Sequence, residues 1–87
     1  MINCGEAVNN VKNGHKIARE GWNGKGMFVI YVPEENIDLT EQQEKMFGAS
    51  NIILNEHFLI KNVNNTLSTW VPSINDCLAE DWYVIED

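Results

Sequence analysis

The chain has 87 residues, 44% of them apolar, and a formal net charge of −7. One domain is the natural count for that length, and the apolar content with three Trp excludes a disordered tail. The negative charge argues against duplex DNA or RNA as a partner, because affinity for it rests on neutralising many phosphates.

The charge is uneven. Residues 1–26 carry Lys12, Lys16, Arg19 and Lys25 against Glu6 and Glu20, a local +2, whereas no base follows Lys61 and five acids do. No secretory h-region follows Met1, and the longest apolar run is six residues, far short of a membrane span. Cys4 and Cys77 form neither a C-x-x-C pair nor a zinc spacing. The expectation is a cytoplasmic chain with two reduced thiols, no cofactor, no metal and no membrane contact. A chain this short buries only about 60–65% of its unfolded surface, so oligomerisation is expected to support it.

In chain order, Asn3 with Glu6 reads as a capping box opening a helix over 4–13, with Gly14 at the left-handed position that ends it. Cys4, Ala7, Val8 and Val11 fall on one helical face. Residues 16–19 read as a short strand, 20–26 as a loop, and 27–32 as a central strand. That second strand is apolar throughout, so both of its faces are expected to be covered, one by the helix and the other by a second subunit. Residues 33–55 are polar and acidic, a surface excursion holding a short helix over 41–47 that Thr40 with Gln43 caps and Gly48 stops. Residues 57–64 and 67–71 read as a hairpin turning at Asn64-Asn65-Thr66. Pro72-Ser73 ends it, Ser73 with Asp76 opens a helix to about 80, and 82–86 is the last strand. The fold class is α+β, with a small, mostly antiparallel sheet, an N-terminal helix and a short C-terminal one.

The loop Gly21-Trp22-Asn23-Gly24-Lys25-Gly26-Met27 is the candidate site. Its glycines free the backbone for close approach or positive φ. Between them stand a flat π-face, an amide that both donates and accepts, and a mobile ammonium. Gly24-x-Gly26 is no dinucleotide fingerprint, because the third glycine and the βαβ context are missing. It reads either as a plain hairpin loop or as a nest of N–H groups for an anion, with Lys25 beside it. Trp82 reads as core, Trp70 as core or rim, and Trp22 as a ligand or interface contact. Asn75 and Asp76 read as helix capping or as acceptors for ribose hydroxyls and base amines. Cys4–His15 and Cys77–His57 are conceivable nucleophile–base pairs that nothing in the sequence brings together.

Two motifs carry a family resemblance. The pattern A-R-x-G-W-N-G-K-G-M-F over 18–28, and W-x-P-S-x-x-D-x-L-A-x-D-W over 70–82, resemble the signatures of a small phage family, the second type of Thoeris anti-defence protein. The resemblance implies a sponge that binds cyclic ADP-ribose isomers made by TIR-domain immune enzymes and holds them without degrading them. It implies a homo-oligomer, commonly a tetramer, with pockets at subunit interfaces; some relatives also sequester cyclic dinucleotides at separate positions. On that reading Trp22 stacks a ring, and Gly24, Lys25 and Gly26 take the diphosphate, with Arg19 adding charge where it faces the site. Asn23, Asn75 and Asp76 bond hydroxyls or base edges, Met27 and Trp70 complete the ligand set, and the C-terminal acids point elsewhere. The alternatives are an enzyme cleaving the same signal and a protein-binding inhibitor of an immune enzyme. Residues 33–55 are where the family varies.

Overall fold

The computed structural model describes residues 1–22 and 24–86. Ten elements follow one another: α1 (Cys4–Lys12), β1 (Lys16–Arg19), β2 (Phe28–Val32), β3 (Glu35–Asp38), α2 (Glu41–Phe47), β4 (Asn51–Leu54), β5 (His57–Lys61), β6 (Leu67–Trp70), α3 (Ile74–Leu78) and β7 (Trp82–Ile85). The three helices start where short-range side-chain chemistry says they must. Asn3, Thr40 and Ser73 each accept from the backbone N–H three residues on, and Glu6, Gln43 and Asp76 each reach back to the cap's N–H.

Five strands form one antiparallel sheet in the order β6-β5-β2-β1-β7. Residues directly opposite across a ladder share a face. Ile17 stands opposite Val29 and Val84, Arg19 opposite Trp82, Tyr31 opposite Phe58, and Phe58 opposite Trp70. All of these side chains therefore lie on one face. α1 packs against β1, β2 and β7 and lays Ala7 and Val11, one turn apart, on that face. Ala7, Val11, Ile17, Val29 and Trp82 are wholly buried there, and each full-size apolar side chain so buried contributes about 1.5–3 kcal/mol.

On the opposite face, Phe28, Ile30 and Val32 are half-buried. The ammonium groups of Lys16 and Lys61 stand 4.9 and 5.8 Å from the Phe28 ring, so lysine stems give this face part of its cover. The short segment boundaries differ slightly from expectation: α1 ends at Lys12, β5 at Lys61 and β6 at Trp70, and α3 ends at Leu78 with Ala79 already extended. The hairpin turn is wider than expected. Asn62 N–H donates to Thr66 O, and Asn65 takes a positive φ of 66°.

The excursion holds more structure than the sequence indicated. Besides α2 it contains a separate two-stranded sheet in which β3 pairs antiparallel with β4, Glu35 opposite Leu54 and Asp38 opposite Asn51. Among the described residues no helix is long and apolar enough to cross a membrane.

Candidate functional site

The connection between β1 and β2 folds into a cleft of about 390 Å³. Of the residues singled out in the sequence, Trp22, Gly24, Lys25, Gly26 and Met27 all line it; Arg19, Glu20 and Tyr83 complete the wall. Asn23 lies outside the described residues. Trp70 lines a different cavity, with Tyr31 and Phe58. Asn75 is exposed on α3 and lines neither. Tyr83 carried no sequence signal beyond its alternation with buried Trp82; it stands opposite Ala18 in the β1–β7 register and lines the cleft.

The two glycines of the loop serve different ends. Gly26 has φ of +80°, where a side chain is strained. Gly24 is needed for space, because a Cβ there would overlap Val63 Cγ2 and lie 2.7 Å from Met27 Sδ. Val63, in the β5–β6 turn, thus braces the loop from a region the sequence gave no reason to connect with it. Lys61 Nζ also donates to Gly26 O at 3.3 Å.

Asp76 is buried behind the cleft and organises its wall. Oδ2 accepts from Ser73 N–H at 3.0 Å, and Oδ1 accepts from Arg19 Nη1 at 3.0 Å and from Trp22 Nε1 at 3.4 Å. Its backbone carbonyl accepts from Trp82 Nε1 at 2.9 Å. Burial pushes this carboxyl's pKa up, but the Ser73 backbone N–H, Arg19, the Ser73 hydroxyl and Trp22 together hold it below the usual value. Asp81 takes the other side of the guanidinium, accepting from Arg19 Nε at 2.8 Å and from Gly21 N–H at 2.8 Å. The Arg19 bond is the main cause of its lowered pKa, and Asp81 followed by Asp76 raises that of Arg19.

This corrects one expectation. The C-terminal acids do not all point elsewhere: Asp76 and Asp81 both turn toward the loop and neutralise Arg19. Asp76 therefore acts within the chain as capping acceptor and ion-pair partner, its carboxylate already accepting three hydrogen bonds. Trp22 lines the cleft and also has partners within the chain. It packs edge-on against Trp82, centroids 5.4 Å apart at 78°, and is half-buried. Trp70 contacts Trp82 in the same manner at 6.0 Å and Phe58 at 5.9 Å. Of the two cations lining the cleft, Arg19 is committed to two carboxylates, and Lys25 is exposed with no ion-pair partner among the described residues.

Neither conceivable nucleophile–base pair is assembled. The Cys4 thiol neighbours Cys77, and burial first, then Cys77 and Asp76, raise its pKa, opposite to the depressed pKa that activates a cysteine. Among the described residues no three His, Cys, Asp or Glu side chains cluster as metal ligands would.

The model of the Thoeris anti-defense 2-like domain matches residues 2–85. The chain is also 35% identical over 88 residues to a protein named Thoeris anti-defense 2 from Bacillus phage SP01, a match covering 97% of this chain and 94% of that relative. The chain belongs to the Thoeris anti-defense 2-like family. The family match takes in the cleft loop, the segment from α3 to Asp81, and the excursion between them. Membership of this anti-defence family agrees with the resemblance carried by 18–28 and 70–82. The Arg19–Asp76–Asp81 network is one of the contacts that join the first signature to the second in space, beside the Trp22–Trp82 packing.

Proposed function

We propose that this chain is a phage anti-defence sponge that binds cyclic ADP-ribose-type immune messengers in the host cytoplasm and withholds them without cleaving them. The observation that carries the reading is the convergence of Trp22, Gly24, Lys25, Gly26 and Met27 on one cleft. Its volume of about 390 Å³ lies within the range of small-ligand sites, about 300–1,000 Å³. The messenger offers a purine, two riboses and a diphosphate. Trp22 presents an indole wall to the base, and Lys25 with the Gly24–Gly26 backbone receives the diphosphate. Base stacking on such a ring contributes about 1–3 kcal/mol.

The chain works as a homo-oligomer, a tetramer by the family resemblance. Trp70 and Asn75, which do not face this cleft within one chain, reach a messenger only across a subunit boundary. A sponge acts by mass action, so nanomolar affinity, about −12 kcal/mol, is expected, and messenger binding raises the thermal stability of the assembly.

The test is to incubate the purified protein with a cyclic ADP-ribose isomer, denature it by heat and analyse the supernatant. Recovery of the intact messenger in proportion to protein supports sequestration. A converted product makes the chain an enzyme, and an unbound messenger with retained inhibition of the immune enzyme makes it a protein-binding inhibitor; either result overturns the reading.

A further inference from the structure

Cys4 and Cys77 stand near opposite ends of the sequence, and the fold brings them together. Ile2 N–H donates to Trp82 O at 2.9 Å, and Trp82 N–H donates back to Ile2 O at 3.2 Å. The Trp82 indole in turn donates to the Asp76 carbonyl at 2.9 Å. Trp82 thus ties the segment entering α1 to α3, and the two helices pack against each other. Cys4 is the first residue of α1, half-buried against the core. Cys77 is exposed on α3. The two thiols hydrogen-bond one another, and both are free. Packing accounts for Cys4, since a thiol behaves as a small apolar group in a core. It does not account for Cys77, which adds nothing to the core. α3 itself is lightly held: Asp76 is its one buried residue, and Ile74 and Leu78 are 78% and 76% exposed.

We propose that Cys4 and Cys77 are a redox pair that closes to an intrachain disulfide, bolting α3 to the start of α1, when the chain meets a low-molecular-weight disulfide. Exposed Cys77 is the thiol such a co-reactant, RS–SR, can reach. Its thiolate attacks one sulfur and expels RS⁻, which leaves a mixed disulfide on Cys77. Cys4 lies beside that sulfur. It yields its proton to solvent and attacks the Cys77 sulfur; the Cys4–Cys77 bond forms, and the bond to the second RS group breaks, releasing RS⁻. Two protein thiols are oxidised and one small disulfide is reduced to two thiols. Burial first, then Cys77 and Asp76, raise the Cys4 pKa, so Cys4 holds its proton and resolves the mixed disulfide rather than starting the exchange. In a reducing compartment the pair rests open, as intracellular disulfides that form only transiently do. Closure fastens the helix that carries Asp76, whose carboxylate holds Arg19 and Trp22 at the cleft wall.

The pair stands whether or not the chain binds the messenger. The test treats the purified chain with excess oxidised glutathione at about pH 8.5, where thiols are substantially ionised, and maps the products by mass spectrometry after alkylation. The expected product is a single chain with a Cys4–Cys77 disulfide and no remaining free thiol, reversed by dithiothreitol. Because the cross-link spans nearly the whole chain, the oxidised form is expected to melt about 10–20 °C higher. Cys4→Ser should stop at one glutathionyl group on Cys77, and Cys77→Ser should react at Cys4 about ten-fold more slowly than the parent reacts at Cys77. A parent that stops at the mixed disulfide, forms Cys77 disulfides between chains, or stays unreacted overturns the inference. So does a disulfide that leaves the Tm unchanged or lower, or a Cys4 that reacts at the parent's rate in Cys77→Ser. Should a Ser variant fold poorly, the products and Tm of the parent decide alone.

Discussion

Asp76→Asn tests the claim that one carboxylate holds Trp22 at the cleft wall. The change is isosteric, so no cavity opens, but an amide cannot serve both sides. If its oxygen keeps Arg19 and Trp22, the NH2 group faces the Ser73 N–H, donor against donor, and the cap is lost at a cost of about 1 kcal/mol. If it turns over, Arg19 and the indole face an NH2 group, and two bonds to a charged acceptor are lost. Bonds to charged groups contribute about 1.5–3 kcal/mol when well shielded. The Arg19 side chain is 20% exposed and that of Asp76 12%, so solvent screening favours the lower end, for a total of about 2 kcal/mol. A domain of this size shifts its Tm by about 4–8 °C per kcal/mol, giving a fall of about 8–16 °C. Thermal melts followed by near-UV circular dichroism and indole emission report stability and Trp22 packing together. Asn75→Ala, at the exposed neighbouring position, is the control and should stay within about 0.5 kcal/mol of the parent. An Asp76→Asn protein that melts within about 2 °C of the parent with unchanged indole emission would refute the reasoning.

Gly24→Ala is expected to cost about 1–3 kcal/mol by overpacking, and Val63→Ala in the same chain should recover part of it, read by denaturant melts. Lys25→Ala should lower messenger affinity about ten-fold, or about 1.4 kcal/mol, and flatten its salt dependence while leaving the Tm unchanged, as calorimetry at two salt concentrations will show. Trp22→Ala should abolish messenger binding without altering the mass by light scattering, and, because the ring packs on Trp82, should also lower stability by about 2 kcal/mol. For pH, the folded pKa values of Asp76 and Asp81 lie below the ordinary 3.8. Their stabilisation is therefore complete above that value and lost as pH falls through the lower folded values. Thermal melts should be insensitive to these two groups between about pH 7 and 5 and should fall below about pH 4; a decline already complete at pH 5 contradicts the assignment.

What the sequence made legible was the chemistry that acts over three or four residues. The capping pairs Asn3/Glu6, Thr40/Gln43 and Ser73/Asp76 are of this kind, as are the apolar runs that became β2 and β5. The α+β class followed from the order of these elements. β3 and β4 escaped notice because their pairing spans the whole of α2 and because Glu35, Asn36 and Asp38 give no alternation of buried and exposed residues to read. In the site, the loop residues were identified by type, and five of them do line one cleft. Their supports were invisible because they are distant in sequence. Arg19 meets Asp76 and Asp81 across separations of 57 and 62 residues, Trp22 meets Trp82, and Gly24 meets Val63. Asp76 shows the limit well: its N3 position announced a cap, and nothing local announced that the same carboxylate would also bind Arg19 and an indole.

The proposed function asks an acidic chain to offer a site to an anion, and the network bears on that. Asp76 and Asp81 would repel a diphosphate if they stood free at the cleft, and Arg19 would attract one. Bound to each other, they form a unit of net −1 in which Arg19 offsets one of the two carboxylates, and which fixes the loop between Gly21 and Trp22. Residues 33–56 carry six acids against Lys45, and none of these lines the cleft; exposed charges more than about 8 Å away are largely screened at physiological salt. The charges that line the cleft beside Arg19 are thus Lys25 and Glu20, with the backbone of the glycine loop between them and Met27. Removing Asp81 to make the site more positive should consequently fail. Asp81→Asn releases part of Arg19 but frees the Gly21 N–H it holds, and the loss of loop order is expected to outweigh the gain in charge. Tighter messenger binding by Asp81→Asn than by the parent would show that charge, and not the fixed indole wall, governs affinity at this cleft.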